Sequence, residues 1–184
     1  MNAADRLTFD RVVSELRHRD FGVLSTVTPD GRPHSVGVVY GVSMPGRPLR
    51  LYVMTRRRLR KARNLADKPN VSFVVPLTRR LLWFVPPPCV QFQGQAELLD
   101  RDDREGVETF RSFAMGRRIL SMYEDLARRG ETGVCFLRIT PDPTLSTYMV
   151  GHSLWELMRR METGIERVRV PVTHHHQGPT GNVS

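Results

Sequence analysis

The most basic stretch of the sequence lies between residues 56 and 66, where five Arg and one Lys stand close together with only one acid, Asp67, just beyond them. Thr55 ends a β-rich run just before it, and a short helix is predicted over residues 58–66. A helix N-terminus favours anions, because its first N–H groups are unpaired and its dipole is positive there. Arg60 can donate two hydrogen bonds to phosphate oxygens, Lys61 adds a compact charge and Thr55 adds a hydroxyl donor. This spacing predicts a phosphate-binding corner.

Other residues with reactive side chains give weaker signals. Cys89 and Cys135 each lie in an apolar stretch, which is typical of small buried hydrophobic residues rather than of a redox pair. No Cys/His spacing suits zinc, so no metal site is expected. His34 and His152 could face a substrate, but a lone His is more often a surface or satisfied core residue. The run at residues 174–176 is read as part of a disordered tail.

Composition narrows the class of protein. The 184 residues suit one domain, predicted over residues 1–172, with a disordered tail over 173–184. The net charge is +9, but 26 of the 28 basic residues are Arg and they are scattered, so nucleic-acid binding is not expected. No apolar run is long enough to span a bilayer and no signal peptide is visible, so we expect a cytoplasmic protein without membrane contact.

The elements that must position the corner are mostly strands joined as hairpins. Strands are predicted over residues 21–28, 34–42, 49–55, 71–75, 89–99 and 134–140, with further strands over 144–149 and 165–172. Helices are predicted over residues 5–19, over 100–129 with a possible break, and over 153–162. Residues 78–88 fit no single element. Helices inserted between sequential hairpins predict a mainly β, α+β fold with an antiparallel barrel of six to seven strands.

Three segments resemble the pyridoxamine 5′-phosphate oxidase-like superfamily, the flavin and deazaflavin split-barrel oxidoreductases. They read LSTVTPDGRPHSVGVVY from Leu24, LRLYVMT from Leu49, and RRRLRKARNLADKPNVSFVV from Arg56. The later strand CVQFQGQAELLD is similar to the family's strand with a central Gly. The resemblance covers about 75 residues well and implies a flavin mononucleotide (FMN)-binding split barrel.

The resemblance also implies which residues hold the cofactor. Thr55, Arg60 and Lys61 match the positions that clasp its phosphate, and the second strand matches the platform for its ring. The implied cofactor-binding residues are Ser35, Val36, Gly37, Val38, Val39, Met54, Thr55, Arg60 and Lys61. Where the family's oxidases carry a Lys directed at the phosphate, this sequence has Gly41. The resemblance further implies a homodimer with the site at its interface.

These expectations together favour a flavin-dependent oxidoreductase that transfers hydride to or from a small molecule. No Ser/His/Asp array or carboxylate pair is visible, and flavin chemistry requires none. No catalytic residue is therefore assigned. Two alternatives stay open: a deazaflavin-dependent reductase on the same fold, and a flavin-binding carrier without turnover.

Overall fold

The computed structural model describes residues 8–77, 88–148, 150 and 165–171. The chain enters through helix α1 (Phe9–Arg17), followed by the hairpin of β1 (Phe21–Val27) and β2 (Pro33–Val39). The turn between these strands contains Gly31 at φ 84°, a left-handed conformation that favours glycine. Helix α1 is capped by Thr8, whose side chain accepts a hydrogen bond from the Arg11 N–H.

The middle of the chain contains the strand and the helix between which the predicted anion-binding corner lies. Short β3 (Gly41–Val42) pairs with β4 (Leu51–Arg56), which leads into helix α2 (Arg60–Asp67) and then into β5 (Asn70–Pro76). Strand β6 (Cys89–Asp100) is the longest, and it is followed by the helical insert α3 (Arg104–Arg111) and α4 (Ala114–Arg128). Strands β7 (Val134–Pro141), β8 (Thr144–Tyr148) and β9 (Ile165–Arg169) complete the described chain.

All strand pairs are antiparallel, and the sheet runs in the order β2-β1-β5-β6-β7-β4-β3, with β8 joining β6 to β9. The two ends of this path, β2 and β3, are consecutive in the chain and joined by Tyr40. The sheet therefore curls back on itself as a split barrel. The predicted α+β antiparallel barrel is confirmed. The described residues contain nine strands, because β8 and β9 add short pairs to the path of seven.

Two apolar clusters hold the elements together. The larger fills the barrel and includes fully buried Leu24, Phe73 and Leu137, closed at one end by Val12 and Leu16 of α1. The smaller lies on the outer face of β4 and β7, beneath the helical insert. Its buried members are Tyr52, Phe110, Leu120 and Phe136. Because strand side chains alternate between faces, β4 and β7 contribute to both clusters.

The helical insert begins and breaks for local reasons. Asp103 caps α3 by accepting a hydrogen bond of 2.8 Å from the Gly106 N–H. The break expected between residues 100 and 129 falls at Ser112 and Phe113, between α3 and α4. The helix expected over 153–162, most of residues 78–88, and the tail from 173 lie outside the described residues.

Candidate functional site: a basic corner between β4 and α2

The corner forms where β4 ends and α2 begins. Helix α2 starts at Leu59 without a side-chain cap and without an acidic residue in its first turn. The backbone N–H group of Ala62 donates to the carbonyl oxygen of Leu59. The N–H groups of Arg60 and Lys61 have no acceptor among the described residues, and the helix dipole places positive potential there. The helix is fixed against the barrel by buried Ala62 and Leu65, and by Asn64, whose Nδ2 donates to Thr26 Oγ1 over 2.9 Å. The N-terminus is therefore rigidly held and able to accept an anion.

Thr55 brings a buried hydroxyl to this corner. Its side chain is 1% exposed, and its Oγ1 has no hydrogen-bond partner among the described residues. A buried polar group without a partner costs free energy, on the order of 1–3 kcal/mol. Thr55 lies opposite Cys135 in the β4–β7 pair. A ligand oxygen beside Thr55 would supply the missing partner.

Lys61 lies on the same side as Thr55. It is half-buried, and burial lowers the pKa of its ammonium group, partly offset by the nearby Cys135. No carboxylate contributes to this pKa, and Lys61 makes no ion pair within the described part of the chain. Burial also raises the pKa of the Cys135 thiol, so Cys135 is a neutral, buried side chain as expected from the sequence. The corner thus holds a desolvated cation without a counter-ion.

Arg60 is the exposed member of the corner. Its charge helps to lower the pKa of Asp30, although the hydrogen bond from Thr28 is the largest cause. Arg60 makes no ion pair in the described residues, so its guanidinium is available to an incoming anion. Thr55 thus lies near the end of β4, and Arg60 and Lys61 are the first residues of α2. That the three bind one anion stays a prediction.

The neighbouring arginines have acidic partners that the sequence did not reveal, since no acid lies within the basic run itself. Arg56 and Arg58 lie 3.9 and 3.5 Å from Glu131, and Arg57 lies 2.8 Å from Asp100. These carboxylates are distant in sequence and reach the arginines only through the fold. Only Arg60, Lys61 and Arg63 of the run have no ion pair among the described residues, which narrows the candidate anion site to the helix start.

The implied platform residues of β2 divide between two faces. Val36 and Val38 pack into or against the barrel core, whereas Ser35, Gly37 and Val39 face outward with their β1 partners. A Cβ on Gly37 would stand 2.9 Å from the Phe21 ring, so Phe21 explains the glycine without a ligand. Pairing of β1 with β2 is continuous through Gly37, so the strand has no bulge there.

The outward residues form part of a polar row across the sheet. Ser35, Ser25, Ser72 and Gln93 are successive cross-strand neighbours, and the two serine hydroxyls at positions 25 and 35 lie 2.8 Å apart. The sequence gave no signal for this row, because its members come from four strands. Met54, the remaining implied cofactor-binding residue, lies neither at the corner nor in this polar row. It packs against the outer cluster beneath the helical insert, on the face of β4 opposite to Thr55.

Gly41 stands where the family's oxidases have a Lys, and the helical insert packs closely against it. A Cβ there would stand 2.7 Å from Thr109 Cγ2 and 2.9 Å from the Phe113 ring. A larger side chain at position 41 would therefore overlap α3 and the residue that precedes α4. Gly94 likewise permits a close approach, since its Cβ would stand 2.3 Å from the Thr140 carbonyl oxygen. The pairing of β6 with β5 is continuous through Gly94, so the strand has no bulge there.

The fold and the corner together define an antiparallel split barrel with a basic helix start that has no side-chain cap. A family model described as pyridoxamine 5′-phosphate oxidase matches residues 9–147 of the chain. The chain therefore belongs to the pyridoxamine 5′-phosphate oxidase family. A search of curated proteins finds no match.

Solved structures similar to this fold have different ligands in their descriptions. The heme storage protein HutZ from Vibrio cholerae is 22% identical, with 76% of this chain and 94% of that chain covered and a TM-score of 0.57. A pyridoxamine 5′-phosphate oxidase-related, FMN-binding protein from Nostoc punctiforme is 14% identical, with 86% and 87% covered and a TM-score of 0.56. A heme-binding protein from Mycobacterium smegmatis is 16% identical, with 82% and 52% covered and a TM-score of 0.57. At these identities the likeness concerns the fold alone.

Two further observations concern other kinds of site. In the described ranges, no group of His, Cys, Asp and Glu side chains is arranged to hold a metal ion. The helices within the same ranges are too short or too polar to cross a bilayer.

Proposed function

We propose that the protein binds FMN, with the phosphate of the cofactor at the corner formed by Thr55, Arg60 and Lys61. Two observations at the corner support this proposal. The buried Thr55 hydroxyl has no hydrogen-bond partner among the described residues, and the half-buried Lys61 has no counter-ion in the same part of the chain. A phosphate monoester satisfies both at once, because it accepts several hydrogen bonds and carries close to two negative charges. The uncapped start of α2 adds backbone N–H donors.

The chemistry proposed for the loaded protein is hydride transfer, which a bound flavin supplies at its N5 atom. The chain's own residues bind and orient the group. Lys61 and Arg60 would hold the phosphate, Thr55 would donate a hydrogen bond to a phosphate oxygen, and the outward face of β2 would lie towards the ring. We further propose a homodimer in which the exposed polar row of Ser35, Ser25, Ser72 and Gln93 faces the partner near the site.

A second candidate is ligand binding without turnover. The specific observation in its favour is Gly41, where Thr109 and Phe113 replace the additional cation of the family's oxidases. Proteins described as heme storage and heme-binding proteins have similar folds. A carrier role is therefore compatible with this fold, because fold alone does not decide function. A deazaflavin with a phosphorylated side chain would use the same corner.

The first experiment is the absorbance spectrum and mass spectrum of the ligand that copurifies with the protein. Oxidised-flavin bands and the mass of FMN are the expected result. A Soret band with the mass of heme, or a deazaflavin mass, would replace FMN by that ligand.

The second experiment separates an enzyme from a carrier. The FMN-loaded protein is mixed with reduced nicotinamide cofactors in the absence of oxygen, and bleaching of the flavin is followed with a quinone as the final acceptor. Reduction and reoxidation over many turnovers are expected of the oxidoreductase. Binding of FMN without reduction by any donor would favour the carrier.

A further inference from the structure

A cavity of about 910 Å³ lies on the opposite face of β4 from the phosphate corner. It opens between the helical insert and the outer face of β4 and β7. Met54 and Val134, which are the chain neighbours of Thr55 and Cys135, contribute to its floor from the sheet. Since successive strand residues face opposite sides, the body of the sheet separates this cavity from the corner.

The floor of the cavity is apolar. Val107 of α3 and Leu120, Tyr123 and Ala127 of α4 meet the two strand residues there. Burial raises the pKa of the Tyr123 phenol, so the ring stays neutral beside the Arg56 guanidinium, which lies 5.9 Å from its centroid. Pockets of 300–1,000 Å³ with such linings are typical of sites for small organic molecules.

The rim of the cavity is cationic. Five arginines line it against three carboxylates, those of Asp102, Glu108 and Glu124. Arg47 is paired with Glu108 over 2.9 Å, and Arg128 is paired with Asp125, which lies outside the cavity. Arg101, Arg104 and Arg111 make no ion pair with any described residue. The rim therefore offers guanidinium groups that its own carboxylates do not neutralise.

The arginines lie at both ends of the apolar floor. Arg104 and Arg111 are the first and last residues of α3, so their backbones are about 10 Å apart along the helix axis. An apolar molecule in the cavity that carries an acidic group at either end would meet a guanidinium there. Guanidinium groups bind carboxylate and related oxyanions through paired hydrogen bonds.

We propose that this cavity is a binding site for an amphipathic organic anion, with an aromatic or aliphatic body on the apolar floor and its acidic group at Arg104 or Arg111. The site is independent of the phosphate corner, and neither needs the other to be occupied. The apolar floor supplies most of the affinity, and the arginines select the charge of the ligand.

The test uses two dyes that share one ring system. One is 8-anilinonaphthalene-1-sulfonate, and the other is N-phenyl-1-naphthylamine, which lacks the sulfonate. Dissociation constants of both are measured by fluorescence for the unaltered protein, for Arg104→Ala combined with Arg111→Ala, and for a control. The control combines Arg11→Ala with Arg63→Ala, which removes two exposed arginines of α1 and α2 that do not line the cavity.

The expected result is that the unaltered protein binds the sulfonate dye more tightly than the neutral dye. The Arg104→Ala, Arg111→Ala variant should bind the sulfonate dye at least about tenfold more weakly, the loss expected for charge-assisted hydrogen bonds, and keep its affinity for the neutral dye. The control variant should bind both dyes like the unaltered protein. Equal affinities of the first variant and the control for the sulfonate dye would overturn the proposal, as would an equal loss for both dyes in the first variant.

A cavity-filling variant locates the dyes. Ala127→Trp places a large ring over the floor and should weaken both dyes about tenfold or more, while the circular-dichroism spectrum stays unchanged. If this variant does not fold, Val107→Phe fills the cavity from α3 and serves in its place. Unchanged dye affinity in a folded filling variant would contradict the site. FMN affinity should change less than about threefold in all of these variants, so that failure here is distinguishable from failure at the corner.

Discussion

Strands β4 and β7 carry two basic regions on opposite faces, and the regions differ in how their charges are balanced. At the phosphate corner, a half-buried Lys61 and a buried Thr55 hydroxyl face one helix start with no carboxylate partner in the described residues. At the insert cavity, five arginines surround an apolar floor, and two of them, Arg47 and Arg128, are paired with carboxylates. The corner is therefore suited to a compact, doubly charged group, and the cavity to a larger molecule with an acidic end.

The comparison predicts that removing the two cations of the corner weakens FMN binding more than any other change considered below. Arg60→Ala combined with Lys61→Ala should weaken FMN binding by about 100-fold or more, because two charge-assisted interactions of about 1.5–3 kcal/mol each are lost. Arg63→Ala, one turn further along the exposed side of α2, should change the affinity less than threefold. Flavin fluorescence titration measures all three. If Arg63→Ala lost as much FMN affinity as the double variant, only the overall positive charge of the helix would matter.

The second prediction concerns the boundary between the two regions at Gly41. Gly41→Ala should lower the free energy of unfolding by about 1–3 kcal/mol, because its Cβ would overlap Thr109 and Phe113. Adding Phe113→Ala should recover part of this loss, giving a favourable coupling in a double-mutant cycle. Urea unfolding measures the cycle. Additive effects of the two changes would mean that Phe113 does not fill the space at Gly41.

The third prediction tests how α2 is held. Asn64→Ala removes the buried hydrogen bond to Thr26 and should cost about 1–3 kcal/mol of stability. FMN affinity should fall only severalfold, because Arg60 and Lys61 keep their charges. Thermal unfolding and FMN titration are measured on the same sample. A loss of FMN binding as large as that of the corner variant, in a folded protein, would assign Asn64 a direct role.

The smallest expected effect is the contribution of Lys61 to the pH dependence of stability in the ligand-free protein. Its folded-state pKa is lowered by burial, so the unfolded chain binds more protons between that pKa and the ordinary value of 10.5. Stability should therefore rise as pH increases through this window. Lys61→Met should remove the rise and slightly stabilise the ligand-free protein near neutral pH, while weakening FMN binding. Urea unfolding at neutral and at alkaline pH checks the sign, and a fall in stability through the window would contradict it.

The fold and the corner were accessible from sequence for local reasons. The DGRP turn, the β-rich run ending in Thr55 and the basic helix start are contiguous in the chain, so their arrangement follows from hairpin and helix rules. The helical insert was also predicted from sequence, over residues 100–129 with a break, and Asp103 caps its first helix. Local signals thus predicted the elements that carry the candidate phosphate site.

The remaining features depend on pairs that are distant in sequence. Glu131 and Asp100 neutralise Arg56, Arg57 and Arg58 only after β4, β6 and β7 have paired, so the sequence overstated the charge of the run. The contact of Gly41 with Phe113 and the insert cavity likewise depend on how the insert packs on the sheet. No periodicity or motif reports such contacts.

The most direct test of the central claim compares FMN with riboflavin, which has the same ring and no phosphate. The dissociation constants of both ligands are measured for the unaltered protein and for Lys61→Met. The phosphate corner predicts that the unaltered protein binds FMN at least about tenfold more tightly than riboflavin and that Lys61→Met loses most of this preference. Equal affinity of the unaltered protein for the two ligands would contradict it.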